Sequence, residues 1–196
     1  QQGNPAQKTA SITTQLVVGA AGETDVETLQ LSELLYKRHG LARVYYSGFQ
    51  PAPDTPLENL PGMDYTRYVR LYQASFLLRD YGFGMEELPF RSGGYLPLDA
   101  DPKLAWAREN MDEKPVEINQ AEMETLLRIP GIGKIGAERI YNSRKERKFT
   151  ELQQLVSLGI APKRAAPFIL LDGHKPVYQM DLWNYVPSAL SEIRLR

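Results

Sequence analysis

Cysteine is absent from the 196 residues, and histidine occurs only at His39 and His174. Without cysteine the chain forms no disulfide, ligates no iron–sulfur cluster and offers no cysteine nucleophile. Neither histidine has a second ligand at metal-binding spacing, which favours surface or core positions for both. No Ser-His-Asp order, P-loop or pair of catalytic carboxylates is evident. The sequence therefore predicts no catalytic and no metal-binding residue in this chain.

Long apolar runs are missing as well. No stretch approaches the roughly 18 apolar residues of a transmembrane helix, and no signal peptide opens the chain. These absences predict a cytoplasmic protein that has no membrane partner. Hydrophobic residues make up 42% and charged residues 24% of the sequence, a composition typical of a folded chain with one or two domains.

Charge is distributed unevenly, although the net charge of the whole chain is only -1. Residues 128–164 contain nine basic and three acidic residues, a net charge of +6, and residues 99–124 are acidic. A basic stretch of this kind indicates a local anion-binding face, for which nucleic acid is the first candidate. The alternative is an ordinary solvated helical surface.

The first half of the chain has the pattern of a βαβ unit. Residues 12–19 and 42–49 are β-branched and apolar and predict two strands. Between them, Thr24 and Glu27 form a capping box that begins a helix, and Gly40 ends it. Strand, helix and strand in this order predict parallel pairing. A long helix is expected over residues 64–81, followed by an irregular connector over residues 89–98.

Two parallel strands do not form a stable sheet alone, because parallel sheets are normally covered on both faces. The βαβ unit is therefore expected to be the end of a larger barrel, completed by a missing N-terminal barrel half or by a second copy of the chain. The predicted domains are residues 1–98 for the barrel part with its connector, 99–173 for a helical DNA-binding domain, and 174–196 for a tail.

The second half contains several helical start signals. Asp101 is the expected N-cap of a helix through Met111. Asn119, with Glu122 three residues later, is the expected N-cap of a helix that reaches Leu127. Three further helices are expected. One begins at Lys134, one is capped by Thr150 with Gln153, and the last begins at Pro162.

Residues 126–140 (LLRIPGIGKIGAERI) are the most specific motif in the sequence. They resemble the helix-hairpin-helix DNA-binding motif. In that motif Gly131 and Gly133 let backbone N–H groups approach a phosphate, Ile132 is the buried apolar pin, and Lys134 adds a charged contact. Replacing both glycines with alanine is expected to abolish DNA binding and leave the helix content nearly unchanged. The alternative is a hairpin that only packs or that docks a partner protein.

A second hairpin, Gly159-Ile160-Ala161-Pro162, resembles a degenerate copy of the first. It keeps the first glycine and the apolar pin, but Pro162 has no N–H group to donate. Contacts of this kind predict sequence-tolerant, salt-sensitive binding to the phosphate backbone of DNA. The predicted DNA-binding residues are Pro130, Gly131, Ile132, Gly133, Lys134, Gly136, Arg139, Gly159, Lys163 and Arg164.

Two segments of the first half resemble the closing βα units of a radical S-adenosylmethionine barrel: residues 15–25 (QLVVGAAGETD) and 51–59 (PAPDTPLEN). The resemblance implies that Val17 and Gly19 line the adenosine side of the cofactor. One extra residue between Gly19 and Glu23 departs from the common pattern. Any α/β protein with a glycine-rich turn is the alternative.

The order of all these motifs over residues 13–173 resembles the C-terminal half of radical S-adenosylmethionine proteins of DNA modification and repair. The implied fold class is α+β or α/β, with the closing βα units of an incomplete radical-SAM-type barrel followed by an all-α helix-hairpin-helix domain. The family implies S-adenosylmethionine and a 4Fe–4S cluster held by an N-terminal half with three cysteines. This chain alone is expected to be non-catalytic and to bind DNA; the alternative function is a non-enzymatic protein–protein interaction module.

Overall fold

The computed structural model describes residues 11–178. Contacts between Cα atoms divide the chain into two compact units, and the boundary lies between Trp106 and Ala107. The elements up to this boundary are β1 (Thr13–Val18), α1 (Asp25–His39), β2 (Arg43–Gly48), α2 (Tyr65–Asp80), a 3₁₀ turn at Met85–Glu87, and the start of α3 (Pro102–Asn110). The predicted domain boundary after residue 98 stays a prediction.

The strands β1 and β2 pair in parallel, in register from Thr13 opposite Arg43 to Val18 opposite Gly48. This confirms the expected βαβ unit. One face of the two strands is apolar and packs against residues of α1 and α2, which closes a core around Val18, Leu29, Val44, Tyr46 and Leu71. The other face carries Val17, which exposes 61% of its surface, and Tyr45, which exposes 41%.

The predicted barrel needs more parallel strands than this sheet contains. Within residues 11–178, the sheet of the first unit has two strands, so the structure shows a mixed α/β arrangement with short strands and mostly helices. The described part of the chain therefore does not confirm the barrel, which stays a prediction.

Local sequence signals determine the ends of α1. The side chain of Thr24 accepts a hydrogen bond from the N–H of Glu27, and the Glu27 carboxylate accepts one from the N–H of Thr24, as the capping box predicts. Gly40 ends the helix with a φ of 61°, a left-handed conformation that costs glycine little.

A buried ion pair ties α1 to α2. Asp25 is fully buried, and its carboxylate accepts from Arg67 Nε at 2.7 Å and from the N–H of Leu96 at 2.9 Å. The Arg67 guanidinium also donates to the carbonyl of Glu23 at 2.8 Å. One carboxylate thus fixes the start of α1, the first turn of α2 and the segment near residue 96.

The second unit contains the remaining elements: β3 (Val116–Glu117), α4 (Met123–Arg128), α5 (Lys134–Ser143), α6 (Leu152–Val156), α7 (Pro162–Ala165), a 3₁₀ turn at Ala166–Phe168, and β4 (Ile169–Leu170). The expectation of an all-α domain was wrong in one respect, because β3 and β4 form a short parallel pair. The chain returns after α7 to lie beside the strand that precedes α4, a long-range pairing that no local pattern announces.

Two predicted helix caps were also wrong. Asn119 does not cap α4, which begins after Glu122; its side chain instead accepts from the N–H of Phe149 at 2.8 Å and donates to the Phe149 carbonyl at 2.9 Å. Before α6, the side chain of Gln154, rather than Gln153, accepts from the N–H groups of Thr150 and Glu151. A tertiary partner and a shift of one residue account for these differences.

Among residues 11–178, no helix is long and apolar enough to cross a membrane. The helix expected after Asp101 is present as α3. The Asp101 carboxylate caps it by accepting a hydrogen bond from the N–H of Leu104 at 3.0 Å. Most of the predicted tail, residues 179–196, lies outside the described residues, as do the first ten residues.

Candidate nucleic-acid interface

The first hairpin joins α4 to α5 through residues 129–133. Gly131 has a φ of +83°, a conformation that residues with a side chain rarely adopt. Ile132 exposes only 1% of its surface, and its N–H donates to the Ile129 carbonyl at 3.1 Å. The buried isoleucine therefore lies where the sequence predicted an apolar pin, and it holds the turn against the core of the unit.

The second hairpin repeats this geometry between α6 and α7. Gly159 has a φ of +74°, and Ile160 exposes 5% of its surface. The N–H of Ala165 donates to the Ala161 carbonyl at 3.3 Å, just as the N–H of Ala137 donates to the Gly133 carbonyl at 2.8 Å in the first hairpin. The two copies differ after the turn, because α7 has four residues and α5 has ten.

The two turns are in direct backbone contact. The N–H of Ala161 donates to the Gly131 carbonyl at 3.4 Å. A Cβ on Gly131 would lie 2.7 Å from the Ala161 carbonyl oxygen and 3.0 Å from the Arg164 Cβ. Gly131 is therefore needed for packing between the hairpins as well as for its own conformation, so replacing it with alanine perturbs the fold. This geometry therefore argues against the expectation that the variant with alanine at both Gly131 and Gly133 keeps a nearly unchanged helix content.

Two further predicted DNA-binding residues have structural partners inside the unit. Gly136 is buried, and a Cβ there would lie 3.0 Å from the side chain of Ile160. Arg139 donates from Nη1 to the carbonyl of Leu158 at 2.8 Å, in the turn of the second hairpin. Packing accounts for both residues without a DNA contact, and their DNA-binding role stays a prediction.

The remaining predicted residues lie in the two turns and in the first turns of the helices that follow. Gly133 is the N-cap of α5 with a φ of −95°, and Pro130 is buried. Lys134, Lys163 and Arg164 are exposed. The structure thus brings basic side chains from both hairpins to the pair of turns that contact each other at Gly131 and Ala161.

The start of α5 carries no acidic residue in its first turn. The start of a helix has a partial positive charge and N–H groups without i−4 partners, and proteins often place Asp or Glu there. The first turn of α1, for comparison, contains Asp25 and Glu27. With Lys134 in place of an acid, the start of α5 is electropositive and suited to an anion.

A polar cleft of about 340 Å³ lies elsewhere in the second unit, beside the β3–β4 pair. Glu117 organises it: its carboxylate accepts from the side-chain amide of Asn119 at 2.8 Å and from the N–H of Gly173 at 2.7 Å. Lys148 pairs with Asp172 across 2.9 Å on the same cleft. Sequence analysis did not single out Glu117, and no local pattern marks it.

The proposed cofactor contacts fall in the first unit, at the end of β1. A Cβ on Gly19 would lie 3.1 Å from the Met63 Cβ, so this glycine makes room for the methionine. Partial burial of Glu23 opposes its ionisation, but the N–H groups of Gly19 and Ala21 donate to its carboxylate, and the net effect is a pKa below the ordinary value. The Gly-Glu turn therefore closes on itself.

The chain does not provide the iron–sulfur site that the resemblance implies. It has no cysteine, and among the described residues no cluster of three or more His, Asp or Glu side chains is arranged to hold a metal ion. Assignment of Val17 and Gly19 to an adenosine contact stays a prediction.

Comparison with known proteins gives one match. The family model of the helix-hairpin-helix motif matches residues 112–165, a segment that includes both the Gly131 and the Gly159 turns. No curated protein and no solved structure matches the chain. The chain thus contains a helix-hairpin-helix motif, a class that generally binds DNA without sequence specificity or mediates protein interactions.

Proposed function

We propose that residues 112–165 bind the phosphate backbone of DNA without sequence specificity. The observation that carries this proposal is the start of α5: a glycine-rich turn leads into a ten-residue helix whose first turn has Lys134 and no acidic residue. Arg164 of the second hairpin adds positive charge beside the turn of the first, and Lys163 adds an exposed charge to α7. Backbone N–H groups and cations arranged in this way contact phosphates and do not read base edges.

A salt series tests the proposal. Fluorescence anisotropy with two duplexes of unrelated sequence should give equal affinities, which fall steeply as salt rises. Lys134→Gln should weaken binding to both duplexes and reduce the salt dependence by about one released counterion. Arg147→Gln is the matched control, because it removes one exposed positive charge beyond the far end of α5. Equal losses in the two variants would refute the hairpin as the site.

A protein partner is the second candidate, and Ile135 favours it. This residue follows Lys134 on α5 and exposes 65% of its surface, so the tip of the hairpin carries an apolar side chain beside its charge. An apolar protein interface is far less sensitive to salt than phosphate binding. Absence of DNA binding at low salt would favour this second function.

We also propose that the chain is the DNA-binding portion of a radical S-adenosylmethionine enzyme of DNA modification or repair. Support comes from the parallel βαβ unit and from the two motifs at residues 15–25 and 51–59. In this proposal the cluster ligands and further parallel strands come from outside this chain, and the chain alone is not catalytic. Calorimetry should then show no appreciable binding of S-adenosylmethionine to the chain by itself, because part of the cofactor pocket would lie outside it. Micromolar binding would contradict this.

A further inference from the structure

The side chain of Arg139 links the helix of the first hairpin to the turn of the second. Its Nη1 donates to the Leu158 carbonyl at 2.8 Å. The same nitrogen would lie 3.2 Å from a Cβ on Gly159, so the left-handed glycine leaves the space that the guanidinium uses. A planar guanidinium with several donors suits this contact, in which a side chain lies along a backbone turn.

The position of the second turn determines where Arg164 lies. Arg164 follows that turn in α7, and its Cβ would be 3.0 Å from a Cβ on Gly131. The side chain of Arg164 therefore leaves the backbone directly beside the turn of the first hairpin. Because α7 is only four residues long and begins with Pro162, the second hairpin has little phosphate-binding backbone of its own to offer.

We infer that Arg139 is a positioning residue rather than a phosphate ligand: it holds the second turn so that Arg164 reaches the phosphate bound by the first hairpin. This inference rests on the proposed DNA binding. It assigns the two hairpins one shared site, in which the first supplies backbone N–H groups and Lys134, and the second supplies Arg164. It also reassigns a residue that the sequence pattern placed on the DNA.

A double-mutant cycle on DNA affinity tests the inference. Arg139→Gln should weaken duplex binding about ten-fold or more, the effect of losing one hydrogen bond from a charged donor. In an Arg164→Gln background, the same change should have no further effect, because the residue that it positions is gone. Arg139→Lys should lose as much as Arg139→Gln, since the lysine side chain ends one bond short of Nη1 although its charge is kept.

A direct phosphate contact by Arg139 gives the opposite results. Arg139→Lys would then keep most of the affinity, and the losses from Arg139→Gln and Arg164→Gln would add. Either outcome overturns the inference while leaving the proposed function intact.

Amide hydrogen exchange tests the same contact without DNA. The N–H of Gly159 donates to the Val156 carbonyl at 2.9 Å, and that of Ile160 to the Leu155 carbonyl at 3.2 Å. Both amides should exchange several-fold faster in Arg139→Gln and Arg139→Lys, whereas the amide of Ile140 in α5 should not change. If the parent chain fails to bind DNA, the proposed function fails, and unchanged exchange at Gly159 would separately overturn the positioning role.

Discussion

The carbonyl of Gly131 accepts a hydrogen bond from the N–H of Ala161 at 3.4 Å, so the turns of the two hairpins touch through their backbones. This contact leaves no space for a side chain at Gly131, where a Cβ would lie 2.7 Å from the Ala161 carbonyl oxygen. The same glycine therefore serves both the conformation of its own turn, where we propose that phosphate binds, and the packing of the tandem unit. Loss of binding in a Gly131 variant would not by itself identify a DNA contact.

Gly131→Ala should destabilise the second unit. The left-handed φ of +83° costs a residue with a Cβ about 1–2 kcal/mol, before any cost of moving the Ala161 carbonyl. Thermal unfolding followed by circular dichroism should show a lower melting temperature, by about 4 °C or more.

Gly133→Ala provides the matched control for that change. Gly133 has a φ of −95° and a ψ of 179°, which alanine adopts without strain, so its cost should stay below about 1 kcal/mol as for an altered N-cap. Equal melting temperatures for the two variants would contradict the packing role of Gly131.

Asp25→Asn should strongly destabilise the first unit. It removes the negative partner of Arg67 from a fully buried position, and breaking such a pair typically costs about 3–5 kcal/mol. Glu33→Gln removes the surface pair between Glu33 and Lys37 at 2.7 Å and should leave the free energy of unfolding nearly unchanged, because solvent screens an exposed pair. Urea denaturation of both variants measures the difference, and similar midpoints would refute it.

Acid should destabilise the first unit through Glu23. Its pKa is lowered in the folded chain from the ordinary value of 4.5, because backbone N–H groups of Gly19 and Ala21 hold the carboxylate. The folded state therefore gains stability from this group above pH 4.5, and it loses that gain as the pH falls and the unfolded chain takes up the proton first. Glu23→Gln should flatten the pH dependence of the urea midpoint below 4.5; an unchanged profile would show that Glu23 is not responsible.

The open face of the β1–β2 sheet should drive association. Val17 and Tyr45 project from this face, largely exposed, and parallel sheets are normally covered on both faces. Light scattering should find dimers or larger species above the chain mass of 22.2 kDa, and Val17→Gln with Tyr45→Gln should shift the distribution towards monomer. A monodisperse monomer of the parent chain at high concentration would refute this expectation.

Sequence reasoning worked best where neighbours along the chain determine the structure. The Thr24 capping box, the Gly40 helix end and the start of α5 at Lys134 all lie where local patterns predicted them. It was wrong at Asn119, a residue type that often caps helices, because its side chain hydrogen-bonds to the backbone of Phe149, thirty residues later. A side chain with several hydrogen-bonding groups serves either purpose, and only the folded arrangement decides between them.

The sequence by itself determined the βαβ order and the two hairpin turns, because glycine, proline and apolar spacing act over a few residues. Tertiary structure decided how those turns pack against each other. Gly136 and Arg139 match the DNA-binding motif as well as their neighbours do, yet in the fold one is buried against Ile160 and the other bonds to Leu158. Contacts between segments about twenty residues apart depend on how helices pack, and packing is a property of the whole unit that no local pattern contains.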